Sequence, residues 1–153
     1  MSNTDPHIRL ELRSNPIYLS GARGLVQSVA RRLGFDDLEC HKIALAVDEA
    51  LCNVVRHGYE RAEDRPIWLS LWPLGEPSVG SAEGIRIVIE DEAKQVNPDD
   101  MVGRELDDIR PGGLGVHIMR EVMNSVEFAK RDGAGMRVEM TKTLPAAVTA
   151  DSA

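Results

Sequence analysis

Arg110-Pro111-Gly112-Gly113-Leu114-Gly115-Val116-His117-Ile118-Met119-Arg120-Glu121-Val122-Met123-Asn124 sets three glycines directly ahead of an amphipathic stretch. Val116, Ile118, Met119, Val122 and Met123 fall at helical spacing, so the glycines open a helix. Backbone N–H groups at that end carry the positive pole of the helix, and without side chains in the way a phosphate can reach them. Taken alone, such a cluster is as readily a tight loop that needs positive φ. It is not a Walker A loop, because Gly-Lys-Ser/Thr is missing, and its glycine spacing is not that of a dinucleotide fold.

Two upstream segments give the glycines something to work with. Asp36 or Asp37 can cap a helix that runs to about Gly58, with Ile43, Val47, Ala50, Leu51 and Val54 as its apolar stripe. Glu49, Asn53 and His57 recur every four residues and form a polar stripe beside it. A carboxylate can take a proton from an attacking hydroxyl, and an amide oxygen is a hard ligand suited to Mg²⁺. The same spacing also describes a plain solvated helix face. Farther on, Asp91 ends the apolar run Ile85–Glu90, where a buried carboxylate could accept from an amino group such as that of adenine, or could simply cap a turn.

Around these segments the chain reads as one domain. Ile8, Leu10 and Leu12 alternate with charged residues as a half-buried strand, and Ser20 to Leu33 is a first helix stopped by Gly34. Pro66–Leu74 and Gly84–Asp91 read as strands joined by a Gly/Pro/Ser-rich connection, and Val126–Arg131 and Gly135–Leu144 as strands joined at Asp132-Gly133. Asn97 to Pro111 has weak periodicity with two prolines and a glycine and is expected to be an irregular lid-like excursion. Residues 145–153 are expected to be a disordered tail.

A net charge of −7 argues against a general nucleic-acid or anionic-membrane binder, and six aromatic residues leave little for base stacking. No apolar run is long enough to span a membrane, and the N-terminus lacks a signal-peptide pattern, so a cytoplasmic location is expected. Cys40 and Cys52 lie about 18 Å apart along one helix axis and cannot pair. No His/Cys/Asp spacing suits zinc.

In order and spacing these pieces resemble the GHKL (Bergerat-fold) ATPase superfamily and, within it, the RsbW/SpoIIAB-like anti-sigma factor serine/threonine-protein kinases. LAVDEALCNVVRHGY (Leu45–Tyr59) looks like their N-box, IEDEAKQVNP (Ile89–Pro98) like their first glycine box, and RPGGLGVHIMREVMNSVEF (Arg110–Phe128) like their second. GMRVEMTKTL (Gly135–Leu144) is similar to the last strand of that family, and the likeness covers residues 8–144. Ala93 departs from it where glycine is usual, as does Gln95 where the wider superfamily has a second glycine.

The resemblance implies an α+β two-layer sandwich, a mixed, mostly antiparallel sheet with three helices on one face, holding ATP or ADP with Mg²⁺. It implies Glu49 as catalytic base and Asn53 as magnesium ligand. Asp91 would read adenine, with Ala93 beside it, and Gly112, Gly113, Leu114 and Gly115 would hold the phosphates, with Arg110 reaching the γ-phosphate. His57 would orient the helix end. The implied activity is transfer of phosphate to a serine on a STAS-domain antagonist, together with sequestration of a sigma factor and partner switching by a homodimer. The alternative is a nucleotide-binding partner switch without kinase activity. A histidine kinase ranks below both, since no His-containing helix pair precedes Leu45.

Overall fold

In a computed structural model, residues 5–76, 82–101 and 114–145 are described. The strands are β1 (Ile8–Arg13), β2 (Pro66–Gly75), β3 (Ala82–Asp91), β4 (Ser125–Lys130) and β5 (Met136–Thr143), and the helices are α1 (Leu19–Leu33), α2 (Asp37–Asn53) and α3 (Leu114–Val122). The strands form one sheet in the order β1-β2-β3-β5-β4. Every pairing among them is antiparallel, so the sheet is not mixed.

Each helix starts and stops for a local reason. Asp36 caps α2 by accepting the Glu39 N–H at 2.8 Å, and Asp37 and Glu39 in the first turn complement the helix dipole. Gly34 ends α1 at φ 118°, a left-handed conformation that glycine adopts at no steric cost, and Phe35 N–H returns to the Ala30 carbonyl. The third helix closes at Val122, two residues short of the expected Asn124, where the Asn124 side chain turns instead to accept the Thr143 N–H.

Alternation along the strands sorts the two faces of the sheet. Ile67, Leu69 and Leu71 of β2, Ile85, Ile87 and Ile89 of β3, and Val138 and Met140 of β5 are buried in one cluster with Val26, Ala30, Val47, Leu51 and Met119 from the helices. The opposite face carries Trp68, Trp72, Arg86 and Glu139, with the Arg86 guanidinium 4.3 Å from the Trp72 ring centre and bonded to Glu139. The helices therefore cover one side only, giving the two-layer α+β sandwich. Cys40 and Cys52 are both free.

Candidate functional site

The site is built where α2 runs out. After Asn53 the helical ladder widens: Tyr59 N–H bonds to the Val54 carbonyl five residues back, so Val54–Gly58 form one π-type turn. Single turns of this kind cost regular hydrogen-bond geometry and gather at functional sites. Glu60 and Arg61 follow at φ 49° and 70°, both left-handed and neither glycine. The Arg61 N–H bond to Val55 O at 2.8 Å holds that reversal in place. Tyr59 is buried, and its hydroxyl donates to the Pro66 carbonyl at 2.5 Å and accepts the Glu92 N–H at 2.7 Å. It thereby ties the end of α2 to the start of β2 and the end of β3.

Asn53 and His57 open onto a cavity of about 310 Å³. Ile89, Val116, Phe128 and Val138 give it apolar walls, and Asp91 is its buried acid. That size lies at the lower end of small-molecule sites, and apolar walls around one directional polar group suit a planar heterocycle. His57, Glu60, Lys94 and Asp100 supply exposed charged or polar groups at its rim. His57, the last residue of the polar stripe, is thus part of the cavity lining.

Asp91 Oδ1 accepts two backbone N–H groups, from Ala93 at 2.8 Å and from Met136 at 3.0 Å. Among the described residues no hydrogen bond uses Oδ2, which leaves an acceptor for a ligand amino group. Burial pushes the Asp91 carboxyl above its ordinary value, opposed by the two backbone bonds and by Arg131. Gly135, at φ 92°, lies so close to the end of β3 that a side chain there would run into the Asp91 backbone.

Glu49 and Gly115, 66 residues apart in sequence, meet here. A β-carbon placed on Gly115 would stand 2.6 Å from Glu49 Oε2, so only glycine lets the start of α3 come this near the carboxylate. Glu49 and Asn53 lie one helical turn apart on α2, and both are half-buried. Among the described residues no three His, Cys, Asp or Glu side chains cluster as a metal cage. A Mg²⁺ ion would depend on the Asn53 amide together with phosphate and water oxygens, a mode natural to this ion.

Of the residues singled out from the sequence, the structure brings Asn53, Asp91 and Ala93 to the cavity and Glu49 against Gly115. Arg110, Gly112 and Gly113 lie outside the described residues, as do the side chain of Leu114, most of the lid, the middle of the β2–β3 connection and the tail beyond Pro145. Ala93 needs no glycine, because its φ is not positive, and its methyl fills space that Gly58 leaves open: a β-carbon on Gly58 would stand 3.0 Å from it. Sequence reasoning missed Tyr59, Arg131 and the Met136 N–H. Nothing local marks their contacts to the end of β3, since these join residues 33 to 45 positions apart.

Comparison with known proteins identifies the family and the fold. The family model of the histidine kinase-like ATPase domain matches residues 12–142. The serine-protein kinase RsbW of Listeria monocytogenes serovar 1/2a is 29% identical over 145 residues, covering 93% of this chain and 90% of the relative. RsbW of Bacillus subtilis strain 168 is 26% identical over 155 residues, covering 94% and 89%. Among solved structures, the RsbU and RsbW domains of a Mycobacterium tuberculosis protein superpose with a TM-score of 0.58 at 14% identity. That alignment covers 92% of this chain and 34% of the longer one, and speaks for the fold alone. With the match spanning nearly all of the described strands and helices, this chain belongs to the histidine kinase-like ATPase domain family.

Proposed function

We infer that the chain is an ATP-dependent serine-protein kinase that phosphorylates a serine on a STAS-domain antagonist and alternately sequesters a sigma factor. The observation that carries the reading is the packing of Glu49 against Gly115, with Asn53 one turn farther along α2 on the cavity wall. When bound, ATP supplies the phosphoryl group, and Mg²⁺ offsets the charge of its phosphates.

The residues then divide the work. Asp91 Oδ2 accepts from the amino group of the base, while the apolar walls exclude water from its ring. Asn53 would hold the metal through its amide oxygen. The Gly115 N–H, with those of Gly112 and Gly113, donates to phosphate oxygens, and Arg110 adds positive charge from the lid. Glu49 takes the proton that the substrate serine releases as its oxygen bonds to phosphorus, and the bond to the ADP oxygen breaks.

The test is transfer of labelled phosphate from Mg-ATP to the cognate STAS protein. The expected outcome is serine phosphorylation by the native chain and a loss of at least a hundredfold in Glu49→Ala. No transfer by the native chain, or equal transfer by the variant, overturns the kinase reading. A second reading, a partner switch that holds nucleotide without transfer, draws on the Ala93 methyl bordering the cavity. Calorimetric binding of ATP without turnover would select it.

A further inference from the structure

Gln95 has no part in the chemistry just described, and it stands where the wider superfamily has a glycine. Its half-buried side chain nonetheless donates twice: Nε2 reaches the Arg131 carbonyl at 2.6 Å and the Gly135 carbonyl at 3.2 Å, on the two sides of the β4–β5 hairpin. The hairpin answers in kind. Arg131 Nη1 donates to the Asp91 carbonyl at 2.6 Å, and the Met136 N–H donates to Asp91 Oδ1.

These four bonds lie beyond regular strand pairing, because the ladder between β3 and β5 ends with Glu90 opposite Arg137. The backbone that aims the Met136 N–H passes through Gly135, whose carbonyl is held by the Arg131 N–H at 3.0 Å and by Gln95. A glycine at position 95 could hold neither carbonyl. The Gln95 amide therefore fixes both ends of the cradle around Asp91: the turn that supplies the Ala93 N–H and the hairpin that supplies the Met136 N–H.

We propose that Gln95 is a positioning residue for the base: by tethering the Asp91–Val96 turn to the β4–β5 hairpin, it sets the direction of the Asp91 carboxylate and with it the preference for a 6-amino over a 6-oxo purine. This rests on the reading of Asp91 as the acceptor of the base amino group.

The experiment is calorimetry of the full chain with Mg-ADP and Mg-IDP, alongside thermal melts. Gln95→Met keeps length and removes the donors. The expected result is an ADP Kd about tenfold weaker and an ADP-to-IDP ratio falling toward one, with a cooperative melt retained. A purely structural role for Gln95 would lower the melting temperature and leave that ratio intact, and this result overturns the proposal. Gln95→Lys retains a donor of similar reach. If Gln95→Met does not melt cooperatively, this second variant decides: a ratio within about threefold of native supports the proposal, and a ratio near one overturns it. Asp91→Asn tests the underlying reading separately. If Asp91→Asn keeps the native preference for ADP, Asp91 is not the base reader and the proposal falls with it. If it loses the preference while Gln95→Met keeps it, Gln95 alone is overturned.

Discussion

A single methyl group at position 115 separates what the fold tolerates from what the chemistry needs. The atom it would meet first is Glu49 Oε2, the far end of a flexible side chain, so Gly115→Ala can be relieved by moving the carboxylate. The expected outcome is a melting temperature within about 3 °C of native and phosphate transfer reduced on the order of a hundredfold, read from melts and labelled transfer on one preparation. Asp91 separates the same two demands through charge. Burial raises its folded pKa above the ordinary 3.8, so the ionised form costs stability that grows as pH rises from the unfolded value through the folded one. Asn can still accept the Ala93 and Met136 N–H groups without that cost. Asp91→Asn is therefore expected to melt higher than native at neutral pH, with the gap closing below about pH 3.8, while losing base recognition. Melts across pH check the sign.

Among the elements, those fixed by short-range chemistry were legible before any coordinates. The alternation from Ile8 to Arg13 is β1, residue for residue, and Asp36 and Gly34 cap helices as expected, one through its carboxylate and the other through a left-handed backbone. The π-type turn at Val54–Gly58 was not legible, because a single five-residue turn leaves no period to read, and the stripe of Glu49, Asn53 and His57 looked continuous across it. The Asp91 cradle was hidden for another reason: half of it comes from Met136 and Arg131, brought in by tertiary structure. Gln95 was misleading in isolation, since a departure from glycine says nothing of two carbonyls that lie 36 and 40 residues on.

Tyr59 shows how such long-range ties are tested. Tyr59→Phe leaves the part-buried Pro66 carbonyl and Glu92 N–H without their shared hydroxyl, so a loss of about 1 kcal/mol in denaturant unfolding is expected. Lys142 plays a comparable part for α3. Its Nζ donates to the Val122 carbonyl at the end of that helix and lies 3.0 Å from Glu39 Oε2 in the first turn of α2. The contact to Glu39 is an ion pair without hydrogen-bond alignment, since Oε2 is buried and accepts no hydrogen bond. Lys142→Met would leave the Glu39 carboxylate with Lys42 alone among the described residues and the Val122 carbonyl without its donor, with an expected loss on the order of 1 kcal/mol and faster hydrogen exchange through residues 114–122.

At the level of the whole molecule, the helix-free sheet face adds its own response to acid through Glu139. Burial pushes the Glu139 carboxyl up, but hydrogen bonds and charge from Arg86 and Arg137 hold it below its ordinary 4.5. A depressed folded pKa gives stability that is present above the unfolded value and lost as pH falls through the folded one. Glu139→Gln is therefore expected to destabilise the chain at neutral pH and to converge with native below pH 4.5, as melting midpoints across pH would show.

The β4–β5 hairpin closes far from α2 in sequence, yet it grips the acid of the cavity through Arg131 and Met136. Hairpin tips are the usual places to splice in a tag or reporter peptide. In this chain a graft between Asp132 and Ala134 would pull on both hairpin bonds that hold Asp91, so it would disturb the cavity rather than serve as a silent label.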